Sequence, residues 1–164
     1  MLYWLFNYFF SNSYTNKTVD NWSASWDQAD VADVVLGGNN AKLYTNCTVA
    51  GIEFTGANSI NATSMNYVHI DIWTPNTTPI KMKFVDFGAN NAYGGGDDKE
   101  SIEYTLSPQP TQNGWSSYFI PFSVFTGLTT RANLSQMIFT GTSTTFYVDN
   151  IYFSTIGKDV DRNI

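Results

Sequence analysis

The stretch NWSASWDQ, Asn21 to Gln28, sets two of the chain's five tryptophans among small and polar residues. An indole left in solvent stacks on an apolar C–H face. Planar polar groups beside it exchange hydrogen bonds with a hydroxyl edge, and a sugar ring presents both surfaces. Trp22 and Trp26, with Asn21, Asp27 and Gln28, have this composition. The same residues also fit a hydrophobic plug packed beneath a loop, and the sequence leaves both readings open.

Further candidates lie on strand-like segments. In NYVHIDIW, Val68, Ile70 and Ile72 alternate with His69, Asp71 and Trp73, so Trp73 and Asp71 share the more polar face. Trp73 there serves either as a ligand platform or as solvent-side cover of a sheet edge. Tyr44 in KLYTN offers a ring and a hydroxyl, and Arg131 offers a fork of donors. Trp115, after Asn113-Gly114, reads as a turn-and-strand residue. The loop GANNAYGGGDD (88–98) combines backbone freedom with Tyr93, Asp97 and Asp98. It fits a binding-site rim with Tyr93 as a stacking lid, a calcium loop, or a plain hairpin tip. The loop is a poor match to a phosphate cradle, because no Lys-Ser/Thr follows and two carboxylates repel an anion.

Catalytic chemistry has little to stand on. The single histidine, His69, has no nucleophile elbow of the form G-x-S-x-G to serve. Glu53, Asp71, Asp86, Glu100 and Glu103 form no paired motif, and Glu100 and Glu103 fall on opposite faces of any strand they share. The formal net charge of -6 gives no electrostatic footprint for nucleic acid or an anionic membrane. One cysteine, Cys47, excludes an internal disulfide and a cysteine metal cluster.

These residues must be held by strands. Charged residues make up 13% of the chain and aromatics 16%, with abundant Thr, Ser, Asn and Gly. That mixture favours strands and turns over helices. LFNYFF, VADVVL, AKLYTNCTVAGIEF (two strands or one bent strand), NYVHIDIW, IKMKFVDF, SIEYTL, WSSYFIPF, SQMIFTG and TTFYVDNIYF are separated by turn clusters. PFSVFTGL is long enough for a single helical turn. The spacing predicts an all-β, two-sheet antiparallel β-sandwich or jelly roll over residues 1–154, with 155–164 as a polar tail or linker. The apolar opening MLYWLFNYFF reads as a first strand, with a retained targeting piece as the alternative.

The segments FFSNSYTN, GNNAKLYTN, MNYVHIDIWT, VDFGANNAYGGGDDKE, WSSYFIPFSVFTGLTTR and TTFYVDNIYF together resemble the jelly-roll carbohydrate-binding modules of the galactose-binding-like type, over about Phe6 to Phe153. Such modules are attached to bacterial glycoside hydrolases and surface glycan-binding proteins. The resemblance implies a secreted or cell-surface, monomeric, non-catalytic module that binds a neutral polysaccharide, a β-glucan or related hemicellulose, beside a catalytic domain in the same parent chain. A small β-sandwich glycoside hydrolase using paired carboxylates is the alternative. Trp22, Trp26, Tyr44, Trp73 and Tyr93 are then the stacking candidates, and Gln28, Asp71, Asp97 and Arg131 the hydrogen-bonding ones. The resemblance also implies a structural calcium tying the first strand region to the last. Asp149 in YVDNI matches the final-strand acid, Asn12 stands where an acid is usual, and Asn39 or Asn40, with the Lys42 carbonyl nearby, matches the mid-chain turn. Neutral amides in place of carboxylates weaken such a site.

Overall fold

The computed structural model describes residues 6–10 and 16–156, with side chains from Phe10 onward. The strands among them are β1 Phe6–Phe10, β2 Gln28–Leu36, β3 Asn39–Glu53, β4 Tyr67–Thr74, β5 Lys81–Asp86, β6 Lys99–Glu100, β7 Tyr104–Thr105, β8 Gly114–Pro121 and β9 Leu134–Ser154. The only helical pieces among the described residues are 3-10 turns at Gly56–Asn58 and Phe122–Val124, the second inside PFSVFTGL.

Two long strands build the sandwich. AKLYTNCTVAGIEF is one bent strand, and SQMIFTG and TTFYVDNIYF merge into the 21-residue β9. Both bend at positions of left-handed backbone, Asn46 (φ 52°) and Ser143 (φ 51°), and their pairing register steps between Tyr44, Cys47 and Val49. At the bend the strands approach closely. A Cβ on Gly141 would sit 2.6 Å from Thr144 Oγ1 and 2.9 Å from the Cys47 carbonyl oxygen, so only glycine fits. The bends divide β3 and β9 between two antiparallel layers. The first half of β3 and second half of β9 join β1, β2, β4 and β8. The second half of β3 and first half of β9 join β5, β6 and β7. SIEYTL is correspondingly broken into two short edge strands.

Alternation sets the faces. Val68, Ile70 and Ile72 of β4 and Met82 and Phe84 of β5 are fully buried between the layers. Phe84 bridges them, with ring centroids 4.9 Å from Phe125 and 5.7 Å from Phe153. Cys47 is buried here, and burial first, then the nearby Asp27 charge, pushes its thiol up to about 12, so it is an inert core residue. No helix among the described residues is long and apolar enough to cross a membrane. Of the predicted tail, Thr155 and Ile156 are described and hydrogen-bonded to Asn66 and Ser154; 157–164 lie outside the described residues.

Candidate functional site: a groove on one sheet face

On the outer face of the β3–β9–β5–β6 layer, register pairing lays out two rows. Gly51, Ile138 and Lys83 form one, and Glu53, Gln136, Val85 and Glu100 the next. Val85, Phe87 and Ile138 form a small apolar cluster separate from the main core. They floor a groove of about 430 Å³ that is walled by Trp26 on the β3 side and by Tyr93, Lys83 and Glu100 on the other.

The opening tryptophan pair is split between inside and outside. The loop carrying it is pinned to β3 by Ala24 N–H donating to the Gly51 carbonyl (2.9 Å) and Gly51 N–H donating to Asp27 Oδ2 (2.9 Å). Trp22 turns inward and meets Phe10 edge to face at 5.5 Å. The Lys42 ammonium sits over its indole at 4.6 Å and forms an ion pair with Asp33. Trp26 turns outward and remains 47% exposed, its benzo ring directly over Gly51. A Cβ at Gly51 would lie 2.4 Å from Trp26 Cζ2, so the missing side chain is what seats this ring on the sheet. Trp26 Nε1 donates to Glu53 Oε1 (3.0 Å), which also accepts from Gln136 Nε2 (3.0 Å), while Asn21 Nδ2 donates to Glu53 Oε2 (3.2 Å). Glu53 is thus a fixed acceptor beside an exposed aromatic face.

The opposite rim is the GANNAYGGGDD loop. Tyr93 is 67% exposed and leans on Phe87, with centroids 5.7 Å apart. Asp97 and Asp98 face the loop instead of the groove: Asp97 Oδ2 accepts from Asn90 N–H (3.1 Å) and Asp98 Oδ2 from Gly94 N–H (2.6 Å). Lys83 and Glu100 form an ion pair along this wall.

The sequence-derived set therefore divides. Trp26 and Tyr93 stand at the groove. Tyr44 is a correction: it is fully buried, stacked on Phe146 at 5.2 Å, and its hydroxyl donates to the Trp22 carbonyl, so no ligand reaches it. Trp22 packs inward, as above. Arg131 is also corrected: its guanidinium donates to the Ala62, Thr63 and Met65 carbonyls and covers Phe122, clamping a loop. Asp97 orders its own loop, and Gln28 is exposed at the start of β2, outside the groove lining. Asp71 and Trp73 lie on the other layer. There His69 is wedged between Phe119 and Tyr152, with Nε2 3.1 Å from Asp71 Oδ1. Glu53, Lys83, Gln136 and Glu100 were not in that set. For Glu53, Lys83 and Gln136 the signal was the polar half of the segments AGIEF, IKMKFVDF and SQMIF; Glu100, at the end of DDKE, lies outside all three.

The metal candidates also separate. Asp149 is 2% exposed and accepts from Asn39 Nδ2 and from Asn150 N–H (2.7 Å). Of the two neighbouring turn amides, Asn39 is the one whose Nδ2 donates to this carboxylate. Asn40 is exposed, lining a separate hollow with Lys42, Asp33 and Phe10. Asn12 lies outside the described residues. Burial, with Asp71 nearby, holds the Asp149 carboxyl above the usual range despite those donors. Asp71 is also desolvated, but hydrogen bonds from His69, Ser117 and Asn150 bring it below its usual value. Among the described residues, no three His, Cys, Asp or Glu side chains converge to hold a metal by themselves.

No family model matches the sequence, and no curated protein matches it. The fold is shared with solved carbohydrate-binding modules. The family 11 module from Clostridium thermocellum, solved with a β-1,3-1,4-mixed-linked tetrasaccharide, is 17% identical, with a TM-score of 0.62 over 90% of this chain and 94% of that one. The family 30 module of the cellulosomal cellulase Cel9D-Cel44B of Clostridium thermocellum is 14% identical, with a TM-score of 0.65 over 94% and 99%. A family 29 module variant complexed with mannohexaose is 14% identical, with a TM-score of 0.54 over 94% of each chain.

Proposed function

We propose that this chain is a non-catalytic module that binds a neutral polysaccharide, a β-glucan or related hemicellulose, in the groove between Trp26 and Tyr93. The observation that carries this reading is the exposed Trp26 ring seated on Gly51 and hydrogen-bonded to Glu53, beside an apolar floor. Sugar C–H faces meet the two rings, and hydroxyl edges meet Glu53, Gln136, Lys83 and Glu100. Two carboxylates line the groove, but Glu53 is surrounded by three donors and Glu100 by the Lys83 ammonium. Both serve as acceptors in this reading, without a proton-transfer role. Two structural neighbours carry neutral oligosaccharides, which supports the ligand class. A groove this open buries little area, so binding is modest and gains from tethering to a catalytic domain in a secreted parent chain.

Affinity electrophoresis on gels containing mixed-linkage glucan, glucomannan, xyloglucan, xylan or laminarin tests this directly. Retardation is expected on at least one of the first three, with no reducing ends released from the same polymers. Unretarded migration on all five would end the reading, and sugar release would move it to the hydrolase.

The same reading includes a structural calcium at Asp149, whose buried carboxylate accepts from the Asn39 amide and the Asn150 N–H. Without metal, the raised carboxyl makes ionisation costly. Its contribution to stability therefore falls as pH rises from the unfolded value near 3.8 through the folded value. Asp149→Asn is expected to flatten that fall in thermal melts between pH 4 and 7. It should also remove the upward shift in Tm that millimolar calcium gives wild type. A calcium shift surviving in Asp149→Asn would place the ion elsewhere, and the 88–98 loop, where Asp97 and Asp98 each keep a buried oxygen without a partner, is where to look.

A further inference from the structure

The outer face of the other layer carries a second aromatic row. Tyr147, Trp73 and Trp115 are direct register neighbours on β9, β4 and β8. Trp73 meets Tyr147 edge to face at 5.3 Å, and with Leu36 the three line a hollow of about 220 Å³. Trp115 is 47% exposed and Leu36 40%. One step along the strands, Ser117 pairs in register with Asp71, and Asn150 Nδ2 donates to Asp71 Oδ2 (2.8 Å). An apolar slot with no charged lining group thus opens beside hydroxyl, amide and carboxylate groups on the same face.

We infer that this hollow is a second saccharide contact, on the opposite side of the sandwich from the Trp26 groove, taking a pyranose ring of a neutral glycan against Trp115. Its size argues for a small disc over a protein. Aromatic side chains bury about 150–250 Å² each, so two half-exposed residues offer on the order of 200 Å². A stable protein interface needs about 800 Å² per partner. The net charge of -6 also opposes pairing with a second copy. A ring with an apolar face and hydroxyl rim satisfies both the slot and the Ser117–Asp71–Asn150 edge. With contacts on two faces, one module bridges two glycan chains, or two stretches of one.

The test follows the Trp115 indole N–H signal by NMR in the whole chain. Cellohexaose, mannohexaose and a mixed-linkage tetrasaccharide are titrated to millimolar concentration. At least one is expected to shift it, in wild type and equally in Trp26→Ala/Tyr93→Ala, where the groove is disabled. Trp115→Ala is expected to keep groove affinity within about twofold while losing the second, weaker binding step; Trp115→Phe should retain that step. A signal unmoved by all three sugars overturns the inference. So does a wild-type dimer in sedimentation that Trp115→Ala returns to monomer, since that makes the patch a protein contact. Failure of the groove alone, with the Trp115 signal still moving, would remove the Trp26 reading and leave this one standing.

Discussion

Phe84→Ala is expected to lower the unfolding free energy by about 3–5 kcal/mol, the range for deleting a large ring from a packed core. Phe84 is fully buried and touches Phe122, Phe125 and Phe153 with centroids 4.9–5.7 Å apart. Phe153 belongs to β9 in one layer and Phe84 to β5 in the other, so the ring fastens the sandwich across its middle. Phe122 and Phe125, in and just after the 3-10 turn, close the end of the core. None of these neighbours is a flexible chain that collapses easily into the space, which places the cost toward the top of the range. Total stabilities run about 5–15 kcal/mol, so the loss is a large share. At roughly 2–4 °C per kcal/mol for a chain of this size, the Tm should drop by roughly 10 °C. Ile102→Ala is the control: Ile102 is 54% exposed, and its change should stay within about 0.5 kcal/mol. Equal melting of the two variants would mean that the aromatic cluster does not hold the layers together.

The alternation that buries Phe84 was legible in the sequence, and so was most of the fold. NYVHIDIW and IKMKFVDF separate their faces by period two, and each became a strand with those faces. The merging of SQMIFTG with TTFYVDNIYF was not legible. Gly141 and Ser143 look like a turn between two strands. Only the close approach to the Cys47 carbonyl shows that they mark a bend within one. The site was half legible. NWSASWDQ marked aromatics in a loop, but Trp22 and Trp26 have nearly the same local composition. What separates them lies elsewhere along the chain, outside the local stretch: Lys42 and Phe10 receive one ring, and Gly51 receives the other. Tyr44 failed for the same reason. KLYTN says nothing of which side of a bent strand faces the core. Trp73 was placed on the right face of its own strand, but that face belongs to the opposite layer from Trp26, and a strand pattern carries no information on which layer the strand joins.

Trp26→Ala and Gly51→Ala are expected to weaken glycan binding together, although only one of them removes a ring. An aromatic stack contributes on the order of 1 kcal/mol beyond the area it buries. Its loss, with the associated burial, should lower affinity on the best gel by roughly tenfold or more. In Trp26→Ala the Glu53 carboxylate also loses its 3.0 Å indole donor, which frees an acceptor whose position the groove needs fixed. Gly51→Ala reaches the same end by sterics. The new methyl would stand 2.4 Å from Trp26 Cζ2, 2.5 Å from Cη2 and 3.2 Å from the Ala24 Cβ, so the indole must lift off the sheet. The backbone at Gly51 needs no positive φ, so alanine there costs the strand little by itself. Lifting the ring breaks its bond to Glu53 and tilts the stacking plane away from the Val85–Phe87–Ile138 floor. The signature is a large fall in affinity with a changed Trp26 fluorescence and a Tm within a few degrees of wild type. Gly51→Ala retarded as strongly as wild type would show that the seat beneath the ring is irrelevant to binding. If Trp26→Ala were also unaffected, the groove would not be where this module meets its glycan.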